Sequence, residues 1–184
     1  MRHEDDIDKV LGFWFTDCQP EQWFTKDDAF DAQLKDRFGK LVDKARAGQL
    51  DSWADTDRGL LALILLLDQM TRNIYRDTPA AFSGDEIALA LSLKGVERGY
   101  LDQFDAEAER QFLLMPMMHA EDIDIQNRSL PLFEHYTSER THSYAIKHQV
   151  IVERFGHFPH RNAILGRPLT DEMIEFLKGP DSSF

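Results

Sequence analysis

The sequence predicts an all-α fold of about eight helices, packed as αα-hairpins or as a bundle. Three observations predict it. Apolar residues recur at helical spacing along nearly the whole chain. The run at 60–67 is apolar on every side and rich in Leu rather than in β-branched residues, which argues against a central strand. No linker, low-complexity tract or compositional break divides the 184 residues, so one domain spanning 1–184 is expected.

Taken in order, Ile7, Val10, Leu11, Trp14 and Phe15 form a first helical stripe. Phe30, Leu34, Phe38, Leu41, Val42 and Ala45 form a second, which ends at Gly48. The segment 57–70 should be the helix that the others surround, because its middle has no polar face. At 87–93 Ile and Leu alternate with Ala and Ser as in a strand. The reading is nevertheless a helix, since Ser83 and Glu86 have capping-box spacing and Ala and Leu are strong helix formers. Asp105 is placed to cap a helix through Met115. Pro131, inside the helical stretch 121–135, predicts a kink or two shorter helices. Tyr144, His148, Ile151, Val152 and Phe155 make a further stripe that ends at Gly156. Thr170 caps a last helix through Leu177, stopped by Gly179-Pro180.

Composition narrows the function classes. A 42% hydrophobic fraction with 13 Phe and 3 Trp is ample for a core, so disorder is not expected. Twenty-one Lys and Arg against 33 Asp and Glu give a net charge of −12, which repels phosphate backbones and anionic lipid. No nucleic-acid or membrane partner is expected. The apolar run at 60–67 would span about 12 Å as a helix, far short of a hydrocarbon core of roughly 30 Å. The start Met1-Arg-His-Glu-Asp-Asp6 lacks a leader pattern, and Arg2 stands where myristoylation needs Gly. The lone Cys18 suits a reducing compartment, so a cytoplasmic location and an inert thiol are expected. Trp14, Trp23 and Trp53, with Met115, Met117 and Met118, read as core.

No Gly-rich phosphate loop, dinucleotide fingerprint or nucleophile elbow is present, and no cofactor is expected. Asp122-x-Asp124-x-Gln126 opens like a calcium loop, but Asn127 and Phe133 stand where Gly and Glu are required. Three polar clusters remain. In the first, Asp68 and Arg72, and likewise Gln69 and Asn73, are four apart at the end of the buried helix. Groups there must be paired, or must line a pocket. The second is His119, Glu121 and Asp122 near a helix start, which reads as a macrodipole complement or as part of a metal site. The third, His157, His160, Arg161 and Asn162, lies on a Gly/Pro turn, where Arg161 suits a bidentate carboxylate or phosphate contact. A metal site drawn from His119, Glu121 or Asp122, His157 and His160 is conceivable but nothing in the spacing fixes its geometry.

The same segments carry a resemblance. The run Val10-Leu-Gly-Phe-Trp-Phe15 with Trp23-Phe24, the run Leu67-Asp-Gln-Met-Thr-Arg-Asn-Ile-Tyr-Arg76 and Thr78-Pro-Ala-Ala-Phe82 are three of its parts. Met118-His-Ala-Glu-Asp122, Phe155-Gly-His-Phe-Pro-His-Arg-Asn-Ala-Ile-Leu-Gly-Arg167 and Ser182-Ser-Phe184 complete it. Over essentially its whole length the chain resembles a bacterial family known as domain of unknown function 924. The resemblance implies a tetratricopeptide-like superhelix of stacked hairpins, although no repeat of roughly 34 residues is visible in the sequence. It implies no activity, substrate or cofactor. The chain departs from the family pattern at Pro131, where helix usually runs uninterrupted, and at Met70, where an aromatic is common.

Three functions compete on this reading. The first is a binding module that holds a small polar molecule or short peptide end among Asp68, Gln69, Arg72, Asn73, His119, Glu121, Asp122, His160, Arg161 and Asn162. The second is a hydrolase with His119 or His160 as general base and Arg161 stabilising developing negative charge, with or without a metal. The third gives the polar clusters a structural role alone. The sequence leaves the oligomeric state open.

Overall fold

The structure, a computed structural model, describes residues 2–184, with side chains from Glu4 onward. The N-terminal expectation rests on Met1 to His3 and lies outside the described side chains. The fold is all-α, with no strand among the described residues. No helix among them is long and apolar enough to cross a membrane.

Helix α1 (Arg2–Gly12) runs into a π-helical turn at Phe13–Asp17 that keeps Phe13 and Trp14 buried. Helix α2 (Asp28–Arg46) starts where Asp27 accepts the amides of Ala29 at 2.8 Å and Phe30 at 3.1 Å. It ends before Gly48, whose φ of +71° needs a residue without Cβ. Thr56 caps α3 (Asp57–Ile64), which continues through a π-helical segment at Leu65–Met70 into the short α4 (Thr71–Ile74). Every residue from Leu60 to Thr71 is buried, as the apolar run predicts. Burying one Leu contributes roughly 1.5–3 kcal/mol, so this rod anchors the fold. Helices α5 (Asp85–Glu97) and α6 (Glu107–Met118) pack on the rod, and α7 (Ile123–Tyr136) and α8 (Glu139–Phe155) follow, neighbour against neighbour, on α6. After Gly156 come a 3₁₀ turn (Pro159–Arg161), α9 (Asn162–Leu165) and α10 (Asp171–Leu177), the last capped by Thr170.

Three local expectations are corrected. Ser83 and Glu86 make no capping box: Gly84 is the N-cap of α5, and Ser83 Oγ donates to the Ala80 carbonyl instead. A Cβ on Gly84 would sit 2.2 Å from the Leu67 carbonyl oxygen, so the bare glycine is what lets α5 start against the central rod. Asp105 does not cap α6, which starts after Ala106, where the Ala106 amide donates to the Glu109 carboxylate. Pro131 does not divide α7, which runs unbroken from Ile123 to Tyr136. The carbonyl that Pro131 leaves without an amide belongs to Asn127, and both residues are solvent-exposed, so the lost bond falls on the wet face of the helix, where it costs least.

The main core takes in Trp14, Trp53, Met115, Met117 and Met118, while Trp23 packs against it half-buried. A second, smaller cluster of Ile151, Val152 and Phe158, ringed by Ile123, Phe155 and Phe176, seats the loop after α8. Cys18 is buried, and burial, followed by the nearby Asp17 charge, pushes its thiol up to about 11.

Candidate functional site

The π-helical segment sets the first side chains of the site. A π turn widens the helix and loosens its carbonyls, and such turns recur at functional positions. Here two side chains bond back onto carbonyls of this segment: Thr71 Oγ1 donates to Leu67 O at 2.7 Å, and Arg72 donates to Asp68 O. Asp68, with no solvent exposure, accepts from Gln69 at 2.6 Å and from Arg72 at 3.3 Å, and its Oδ1 lies 2.8 Å from His119 Nδ1. Burial alone would raise its pKa. The charges of His119 and Arg72, with the hydrogen bonds of His119 and Gln69, instead hold the carboxyl well below the usual range.

Arg72 forks onto Asp85, a residue that the sequence did not single out. The two bonds are 2.8 and 2.9 Å long, and Asp85 is the first residue of α5. Asp85 also lies 3.4 Å from Arg161, whose other terminal nitrogen donates to the His119 carbonyl at 3.2 Å. Arg161 is 6% exposed and stacks between the rings of Phe82 and Phe158, each centroid 4.7 Å away. Its Nε makes no hydrogen bond, nor does the buried Nδ1 of His160. Burial, and next the Arg72 charge, push the Arg161 pKa down to about 10. Burial, and next the Arg161 charge, push His160 down to about 4, so it is neutral at pH 7.

The loop carrying these groups is stapled in place. Glu121 accepts two bonds from Arg167, each 2.8 Å, and one from the Phe158 amide, also 2.8 Å. Burial would raise the Glu121 pKa, but the Arg167 bond and the Phe158 amide outweigh it, so the carboxylate is held low. The fully buried Asn162 donates to Pro168 O at 3.0 Å, lies 3.1 Å from His157 Nε2 and accepts from Arg167 Nε at 2.9 Å. On the far side of His119, His148 is buried. Its Nδ1–H donates to Tyr144 O at 2.7 Å, and its ring stacks on Phe184 with centroids 4.0 Å apart. Burial, and next the His119 charge, push His148 down to about 3.

The structure thus brings Asp68, Gln69, Arg72, His119, Glu121, His160 and Arg161 into one region, with Asn162 bracing its loop. Asn73 and Asp122 stand apart from it. Neighbouring residues on a helix point about 100° apart, so Asn73 turns from Arg72 toward Asp31, to which it donates at 2.8 Å. Arg76 completes that second network with bonds of 2.6 and 2.9 Å to the same carboxylate. Asp122 is exposed and caps α7 through the amides of Asp124 and Ile125. Gln69, four residues before Asn73, turns instead to Asp68. Nor are the candidate metal ligands assembled: among the described residues no group of three or more His, Cys, Asp or Glu is arranged to hold an ion. Glu121 is taken by Arg167, and His157 by Asn162.

Sequence reasoning missed Asp85, Arg167, Phe82 and Phe158 as members of the site. Arg167 closes a segment that carries the family resemblance, which was a usable signal. Asp85 offered none, because 13 residues separate it from Arg72. A surface hollow of about 280 Å³, lined by Leu63, Leu67, Ile87 and Leu91 among others, lies at the face of the central rod toward α5 and includes none of the polar cluster.

Comparison with known proteins bears on the family and the fold. The model of a family described as bacterial protein of unknown function, DUF924, matches residues 10–181. A solved structure of a protein of unknown function, ATU0120 from Agrobacterium tumefaciens, is 37% identical. It superposes with a TM-score of 0.90, over 96% of this chain and 99% of that one. No curated protein matches the chain.

Proposed function

The chain belongs to the DUF924 family, and from that premise and the geometry above we propose that it is a binding module for a small polar ligand. The ligand sits against Arg161, His160 and Arg72, between the start of α5, the turn before α7 and the loop after α8. One observation carries the reading: Arg161 Nε and His160 Nδ1 are buried, adjacent in sequence and without partners. A buried polar atom without a partner costs about 1–3 kcal/mol, and such atoms are rare in folded proteins. A ligand that reaches both removes that cost. The stapling of the loop by Glu121, Arg167 and Asn162 supports the reading, since a site must be held still to bind selectively.

Native mass spectrometry of freshly purified protein tests it. The expected result is a small-molecule adduct on the wild type that is absent from Arg161→Gln. An adduct carried equally by both proteins, or by neither, would contradict the proposal.

A second reading is favoured by the contact between Asp68 and His119. A buried carboxylate at Nδ1 fixes the imidazole with Nδ1–H toward it and leaves Nε2, which makes no hydrogen bond among the described residues, as the proton acceptor. That is the arrangement of an oriented general base. On this reading His119 would activate a water for hydrolysis, and Arg161 would stabilise the developing oxyanion. A screen of ester, amide and phosphate substrates tests it, with turnover expected from the wild type and lost in His119→Gln.

A further inference from the structure

We propose that the ligand of this site is a small oxyanion, a carboxylate or a phosphate, and that the Asp85 carboxylate fills its place until it is displaced. The proposal rests on the binding reading above and adds the chemical class of the ligand.

The unfilled valences decide the class. Arg161 Nε can only donate, so whatever completes it must present an acceptor. The neutral His160 ring accommodates a donor or an acceptor, and so does not oppose that choice. The other cation, Arg72, stands close enough to Arg161 to lower its pKa, so two guanidinium charges share a largely dehydrated region. Planar guanidinium groups match carboxylate and phosphate oxygens in pairs, which favours an oxyanion over a neutral acceptor.

The bond lengths single out Asp85 as the displaceable group. Charge-assisted N–H···O⁻ bonds are ordinarily about 2.7–2.9 Å long. Arg72 makes two such bonds to Asp85, at 2.8 and 2.9 Å, and is satisfied. Arg161 reaches the same carboxylate only at 3.4 Å and the His119 carbonyl at 3.2 Å, and leaves Nε empty. The internal carboxylate therefore serves one arginine well and the other poorly. Its side chain is 21% exposed, whereas that of Arg161 is 7% exposed, so Asp85 stands on the solvent side of the pair. An incoming oxyanion would bridge Arg161 and His160 and compete with Asp85 for the space between the guanidinium groups. Phe82 and Phe158 keep the Arg161 plane fixed throughout.

Isothermal titration at constant ionic strength, with inorganic phosphate and with acetate as separate probes and chloride as control, tests this in wild type, Asp85→Asn and Arg161→Gln. The expected result is saturable binding of one probe by the wild type, binding at least tenfold tighter by Asp85→Asn, and none by Arg161→Gln. Whichever probe binds distinguishes phosphate from carboxylate. Equal or weaker binding by Asp85→Asn overturns displacement while leaving a ligand at Arg161. Failure of both anions in wild type and Asp85→Asn, with a neutral adduct retained by mass, overturns the oxyanion and leaves the binding module standing. If Asp85→Asn does not fold, ¹⁵N NMR of the wild-type Arg161 Nε–H replaces it: the resonance should move on adding the binding probe, and a stationary signal contradicts the proposal.

Discussion

Asp68 and His119 meet 2.8 Å apart inside the protein, one from the π-helical turn of the central rod and the other from the C-terminus of α6. The same carboxylate receives Gln69 and Arg72, so it is the node through which the rod, the turn before α7 and the start of α5 are joined.

Removing that node should be expensive. Asp68→Ala takes a carboxylate with no solvent exposure from His119, Gln69 and Arg72, of which Arg72 keeps its two bonds to Asp85, so the loss should lie at the low end of the about 3–5 kcal/mol that breaking a buried ion pair from one side costs. Urea unfolding should show a loss of that size. A loss under about 1 kcal/mol would mean that the surrounding groups re-pair without it.

Stability should fall with acid, beginning near neutrality. His148 and His160 have folded pKa values of about 3 and about 4, both below the ordinary 6.5. The unfolded chain therefore takes up their protons first. Their contribution is complete above pH 6.5 and is lost as the pH falls toward 4, at up to roughly 1.4 kcal/mol per pH unit for each histidine. The carboxylates Asp68 and Glu121, also lowered, act with the same sign but only below about pH 4.5. Urea midpoints should be nearly level from pH 7.5 to about 6.5 and should then fall toward pH 5. His148→Leu should flatten the slope by about one proton, since the Tyr144 carbonyl keeps its helical amide. An unchanged slope would show that His148 is not buried in its neutral form.

Gly84→Ala and Gly12→Ala should differ in sign. The new methyl at 84 would meet the Leu67 carbonyl at 2.2 Å, forcing α5 off the rod and pulling Asp85 from Arg72. A loss of about 2 kcal/mol or more is expected. Nothing lies within 4 Å of a methyl at Gly12, the last residue of α1, so alanine there should be neutral or stabilising by roughly 0.5–1 kcal/mol. Thermal melts of the pair decide it, and equal effects would refute the close approach.

Glu121→Gln should loosen the loop without unfolding the protein. It weakens two bonds from Arg167 and one from the Phe158 amide. Hydrogen exchange at Phe158 should quicken by about tenfold or more, corresponding to about 1.4 kcal/mol of lost protection. Exchange that does not change would mean that Asn162 and the small apolar cluster hold the loop by themselves.

The helices were legible because their apolar stripes repeat at the helical period and because Gly48 and Gly156, both at positive φ, mark the ends of α2 and α8. The buried rod was legible for the same reason. The π-helical turn was not, since one widened turn inside a run that is apolar on all sides leaves the pattern unchanged. The three polar segments were legible as clusters, but spacing alone could not separate Arg72, which faces the site, from Asn73, which faces Asp31. Asp85 stayed hidden because its role depends on how closely Gly84 approaches Leu67, a tertiary contact that no local pattern encodes.

The most direct test of the central idea, that Arg161 waits for a ligand, is a thermal-shift screen of anionic, cationic and neutral polar compounds on wild type and Arg161→Gln. A class of compounds that raises the melting temperature of the wild type and leaves the variant unmoved is the predicted result. Equal shifts in both proteins, or no shift from any class, would contradict it.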